Sequence, residues 1–217
     1  MLEHLTINQQ GHETATIFWL HGLGADGHDF APIVHLLDLQ HIKFILPHAP
    51  YRPVTLNNGY EMRAWYDIVG LQPDSPQDET GIRSMQSILN AMIENEIVRG
   101  IPSQRILLAG FSQGGAMALH TATRFEKPLA GVLALSTYLP LKNQLQSDQQ
   151  VANKHLPIWM AHGRFDQVIA LSTAQSSRDV LETAGYPLTW HEYDMPHSVC
   201  DEEISDIRNF LLTVLPA

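Results

Sequence analysis

In GFSQG, Gly110 to Gly114, a lone serine stands between two glycines, with the apolar run Ile106–Ala109 before it and a small-residue helical pattern after it. Placed between a strand and a helix, a G-x-S-x-G pentapeptide fits a nucleophile elbow. There the serine is forced into strained backbone geometry, and the glycines let strand and helix approach without a Cβ clash. The helix that starts beyond Ser112 also turns its free N–H groups and positive dipole end toward the hydroxyl. Serine is a common helix cap as well, but a cap does not need glycine on both flanks.

A serine hydroxyl is a poor nucleophile at neutral pH and needs a base, which in turn needs a third group to orient it. On an α/β sheet with this elbow the chain order is Ser, then Asp or Glu, then His. Downstream of Ser112, Asp166 in HGRFDQVI and His197 in MPHSV both fall in loops after apolar strands. Asp194 is the fallback acid. Asp148, in a polar stretch, reads as a solvated surface residue. His191 sits inside a strand and reads as packing, and His162 beside Gly163 reads as a buried support for its loop.

Acyl transfer also requires donors for an oxyanion. The backbone N–H of Gln113 is one. The other comes from the loop after an early strand, HGLGADGHD from His21, where the amide of Leu23 is placed to turn toward a substrate. G-L-G-A-D-G is also a G-x-G-x-x-G match, but a dinucleotide site wants an acid about 20 residues on, ending the second strand. Here that strand ends in Pro47 and His48, and no GK[ST] follows the glycines, so the oxyanion reading is preferred.

The elements that must position these residues alternate. Strands are expected over 14–20, 42–46, 105–111, 131–136, 157–163 and 189–193, and helices over 30–39, 82–98, 113–125 and 170–185. A last helix carries Ile204, Ile207, Phe210 and Leu211, with Ser198 and Asp201 spaced like a capping box before it. Residues 47–80 are proline-rich and show no period, and loops of that length are often functional. Alternating strands and helices imply a mostly parallel sheet covered on both faces, with ligands outside the carboxyl ends of the strands.

At 217 residues the chain is expected to form one domain, 1–217. A net charge of −10 and the lack of any Lys/Arg run argue against nucleic acid. The histidines are scattered, without HExxH or zinc spacing, so neither metal nor cofactor is expected. No basic and apolar leader opens the chain, and no apolar run reaches the roughly 18 residues of a membrane span. A cytoplasmic location is the default. Cys200, alone, cannot form an internal disulfide and reads as a small buried residue.

Six stretches in order resemble the phospholipase/carboxylesterase branch of the α/β-hydrolases, which includes acyl-protein thioesterases and small bacterial carboxylesterases. They are LHGLGADG at 20–27, PHAP at 47–50, PVTLNNGYEMRAWYD at 53–67, GFSQGG at 110–115, HGRFDQVI at 162–169 and HSVCDEEISDI at 197–207. The resemblance implies an α/β-hydrolase fold without a large cap, Ser112, Asp166 and His197 as a triad, and the Leu23 and Gln113 amides as the oxyanion hole. It also places Met62 and Trp65 near an acyl-binding channel. Departures are Ala170, where proline is usual, and Pro196, which would stiffen the loop before His197. The implied activity is hydrolysis of a carboxylic ester or thioester, with a small acyl ester, lysophospholipid or acylated protein as substrate, by a monomer or homodimer. The rival readings are a peptidase on the same fold and a catalytically silent binding module.

Overall fold

The computed structural model describes residues 2–70, 72 and 75–217. In chain order its elements are β1 (His4–Ile7), β2 (Ala15–Leu20), α1 (Ala31–Leu37), β3 (Ile42–Pro47), β4 (Tyr51–Val54), β5 (Tyr60–Arg63), α2 (Glu79–Val98), β6 (Ile106–Phe111) and α3 (Gln113–Thr123). There follow β7 (Gly131–Leu135), α4 (Leu145–Asp148), β8 (Ile158–Gly163), α5 (Leu171–Thr183), β9 (Leu188–Tyr193) and α6 (Asp201–Val214).

Seven strands form one sheet in the order β1-β3-β2-β6-β7-β8-β9. Only the edge strand β1 runs antiparallel, against β3; every other pair in the sheet is parallel. Parallel strands need crossovers, and these bury the sheet on both faces. Consecutive residues of β2 therefore divide between two cores. Phe18 and Leu20 pack with Ile82, Met85 and Leu89 of α2 and Met117 of α3. Ile17 and Trp19 pack with Val34 of α1 and Ile207 and Leu211 of α6. Each such fully buried side chain contributes about 1.5–3 kcal/mol by leaving water.

The strand order reverses between β2 and β6, which are neighbours in register Leu20↔Gly110. That is the switch point where an open α/β sheet presents a crevice at its strand ends. The loops after β2 and β6 open side by side there.

No separate cap domain is present among the described residues. Within the segment read as irregular, β4 and β5 form a two-stranded antiparallel hairpin. Its exposed residues, such as Tyr51 and Tyr60, give no alternating apolar face to detect. The following helix α2 is capped by Asp78, whose carboxylate accepts the Gly81 amide at 2.9 Å.

Two local expectations are corrected. Asp148 is not a free solvated carboxylate, because it pairs with Arg83 at 2.9 Å and Arg124 at 3.4 Å and so joins α2, α3 and α4. Nor do Ser198 and Asp201 form a capping box. Asp201 is already the first residue of α6, Cys200 occupies the N-cap without a side-chain bond, and the Ser198 amide bonds to Pro196 O at 2.9 Å.

Candidate active site

Ser112 lies between β6 and α3 with φ 54° and ψ −122°, a conformation that costs an L-residue about 1–3 kcal/mol. Its neighbours hold it there. The Ser112 amide donates to Leu135 O at 2.9 Å, and Ser112 O accepts from Ala116 N at 3.0 Å and Thr137 Oγ1 at 2.6 Å. The corner is also too tight for side chains on its inner side. A Cβ on Gly110 would stand 2.4 Å from Gly114 C, and one on Gly114 2.2 Å from Leu20 O. Glycine is the only residue that fits either place.

Asp166 and His197 come together from loops after β8 and β9. His197 Nδ1 donates to Asp166 Oδ2 at 2.6 Å, which leaves Nε2 with its lone pair. The Asp166 side chain is wholly buried, and its Oδ1 accepts the amides of Val168 at 2.8 Å and Ile169 at 2.9 Å. Pro196 is accommodated, and Met195 O receives the Phe165 amide at 3.1 Å. The His197 ring rests on Phe111, the residue before Ser112, with centroids 4.6 Å apart. Ser112 Oγ makes no hydrogen bond to His197; in unliganded hydrolases that contact is commonly loose and tightens with substrate. Asp194, the fallback acid, is 70% exposed and paired with Arg164 at 2.6 Å. His191 stacks on Trp159, as a packing residue does.

The glycine loop after β2 lies against the elbow: a Cβ on Gly22 would be 3.6 Å from Ser112 Cβ. The amides of Leu23 and Gln113 have no acceptor among the described residues, and Gln113 is the first residue of α3, where an N–H has no partner within the helix. The residues 49–66 brace this loop. Trp65 Nε1 donates to His21 O at 2.8 Å, the Gly24 amide donates to Arg63 O at 2.8 Å, and the Ala49 amide donates to His21 Nε2 at 3.0 Å. Burial drives His21 down to about 4, so the ring is neutral, with its Nδ1–H given to Gly22 O. The Gln113 side chain closes the frame by accepting from Trp65 N at 2.9 Å and donating to Tyr66 O at 2.7 Å.

Met62 is half-buried, its Sδ 3.7 Å from where a Gly24 Cβ would sit. Trp65 is completely buried and has no surface with which to line an open channel; its indole supports the loop from beneath. Sequence reasoning did not find the cavity next to the Asp166 loop. It holds about 340 Å³ and is lined by Tyr138, Leu139, Val168, Ile169, Ser172 and Gln77, among others. Its walls come from the segment before α2, the loop after β7, and the loop and first turns of α5, stretches distant in sequence, so no local pattern marks it.

Asp26, His28 and His48 lie close enough together to suggest a metal site. However, His48 Nδ1 accepts the Gly27 amide at 2.9 Å. That fixes the ring proton on Nε2 and leaves the ring without a lone pair for a metal.

With a strained serine at its switch point and a carboxylate–imidazole pair in the loops at its strand ends, the sheet has the architecture of the α/β-hydrolases. Residues 3–215 match the phospholipase/carboxylesterase family model. The chain is 40% identical over 215 residues to acyl-protein thioesterase 1 of Neurospora crassa, covering 94% of this chain and 88% of the relative. It is 36% identical to acyl-protein thioesterase 1 of Cryptococcus neoformans, covering 99% and 98%. The crystal structure of Zea mays acyl-protein thioesterase 2 superposes with a TM-score of 0.90 at 28% identity, covering 99% of this chain and all of that one. The chain belongs to the phospholipase/carboxylesterase family and is a hydrolase of ester or thioester bonds.

Proposed function

We propose that the protein hydrolyses acyl esters or thioesters through a Ser112–His197–Asp166 triad and a covalent acyl-enzyme. The observation that carries this is the 2.6 Å bond from His197 Nδ1 to buried Asp166, beside a serine held at φ 54°. His197 Nε2 takes the Ser112 proton as the hydroxyl attacks the carbonyl, and the Leu23 and Gln113 amides receive the oxyanion. His197 then protonates the departing alcohol or thiol, and water activated by the same ring frees the acid. Asp166 orients the ring and stabilises its charged form.

The acyl group is assigned to the cavity beside Val168 and Ile169 because it adjoins the loop of Asp166 and its size is within the usual range for ligand pockets, about 300–1,000 Å³. Met62 contacts the substrate from the glycine-loop side, and Trp65 acts indirectly. An acylated protein is the favoured substrate, on the likeness to the acyl-protein thioesterases; a lysophospholipid presents the same acyl carbonyl.

Labelling with a fluorophosphonate tests the mechanism. It is expected to modify Ser112, to vanish in Ser112→Ala, and to slow by at least about a thousandfold in His197→Ala. Labelling that persists in Ser112→Ala, or is unchanged in His197→Ala, would overturn the triad and favour a silent binding module. A series of p-nitrophenyl esters and matched thioesters with short, medium and long acyl chains reads the acyl preference. Activity confined to the shortest acyl groups would exclude a fatty-acylated protein.

A further inference from the structure

The loop that carries Asp166 is closed by a second, fully buried histidine that the mechanism above does not use. His162 is the penultimate residue of β8, and its Nε2 donates to Ile169 O at 2.8 Å. A carbonyl can only accept, so the ring proton is on Nε2. The same nitrogen lies 3.3 Å from Asp166 Oδ2, the oxygen that receives His197. Asp166 Oδ1 in turn binds the Ile169 amide at 2.9 Å. Asp166, Ile169 and His162 thus form a closed ring of contacts, with the His197 bond projecting from one side.

We infer that His162 is a positioning residue for the reaction, holding Asp166 Oδ2 in the place from which it orients His197. The inference rests on the triad reading. Its physical basis is that a buried carboxylate needs its oxygens satisfied, and one with a free oxygen rotates or draws in water. Oδ1 is held by two backbone amides, while Oδ2 faces only two imidazoles. Burial holds His162 below its ordinary range, so the ring stays neutral. Its N–H goes to Ile169 O, and the Ile169 amide holds Asp166 Oδ1, so the ring fixes the carboxylate through that residue while its nitrogen stands 3.3 Å from Oδ2 and places no full charge there to compete with the imidazolium of His197. The groups facing it are Asp166, His197 and, farther off, Glu192.

Two variants separate this role from packing. His162→Leu keeps apolar bulk and removes the donor, whereas His162→Gln restores an amide N–H at similar reach. Activity is expressed per active site, counted by fluorophosphonate titration, so that misfolded protein does not contribute. His162→Leu is expected to lower kcat about tenfold to a hundredfold with KM within about twofold, and His162→Gln to recover most of the loss. The downfield proton resonance of the His197–Asp166 bond is expected to shift or disappear in His162→Leu and to return in His162→Gln. Unchanged kcat and resonance in His162→Leu would overturn the inference. So would an equal loss in both variants with the resonance intact, since that marks packing alone. The resonance reports Asp166 and His197 whether or not Ser112 is the nucleophile. Failure of the triad reading instead appears as labelling that survives in Ser112→Ala.

Discussion

At the scale of residues, Ser112 is held by groups that take no part in bond making. The buried Thr137 hydroxyl donates to Ser112 O at 2.6 Å, so it braces the strained corner from the β7 side. Thr137→Val keeps the shape and removes this bond, together with the long 3.5 Å contact to Tyr138 O. We expect about 1 kcal/mol of lost stability in urea unfolding and a severalfold slower fluorophosphonate reaction at Ser112. A wild-type labelling rate would show that the backbone alone fixes the elbow. Ser112, Asp166 and His197 were legible in the sequence because motif, strand ends and chain order select them. Thr137 was not, since its partner is 25 residues away and nothing local marks the contact.

Among the elements, α6 carries an unusual group at its start. Glu203 is fully buried, and burial pushes it up to about 8. The folded protein therefore keeps a proton that the unfolded chain, near 4.5, gives up. Between about pH 4.5 and 8 the folded state binds more protons, so stability falls as pH rises through that window. Glu203→Gln mimics the protonated acid. It is expected to match the wild type near pH 5 and to exceed it by a few kcal/mol near pH 8, read from urea midpoints. A constant difference across that range would mean that Glu203 does not titrate there. The hairpin β4–β5 makes the complementary point about legibility. Four-residue strands with exposed side chains have no hydrophobic period, so they form only because the chain on either side is anchored.

For the molecule as a whole, the histidines set an acid limit. His120, fully buried in α3, gives its Nε2–H to Gln86 at 3.0 Å and is driven down to about 3, first by desolvation and then by Arg124. Its folded value lies below its ordinary 6.5, so the unfolded chain takes up a proton that the folded one refuses. Stability is lost as pH falls from about 6.5 and levels off only below the folded value. His120→Gln retains a donor toward Gln86 without a titrating ring. Its urea midpoint is expected to decline less than that of the wild type between pH 6.5 and 4, the difference reaching a few kcal/mol. Parallel decline would assign the acid limit to other groups, of which His21 is the next candidate.

By itself the sequence determined the alternation of strands and helices, the elbow at Ser112, the glycine loop after β2, and the order of Asp166 and His197 behind them. These are local facts: hydrophobic period, glycine at a forced turn, and a polar residue just beyond a strand. Only the tertiary structure decided that Asp148 joins two arginines and that Trp65 braces a loop from inside. It alone brought His162 to the proposed acid and built the cavity from two loops and helix α5. Burial and contact across the sheet depend on which strands become neighbours. That order, β2 beside β6 and β7 beside β8, is fixed by the packing of both faces at once and is written in no single stretch of chain.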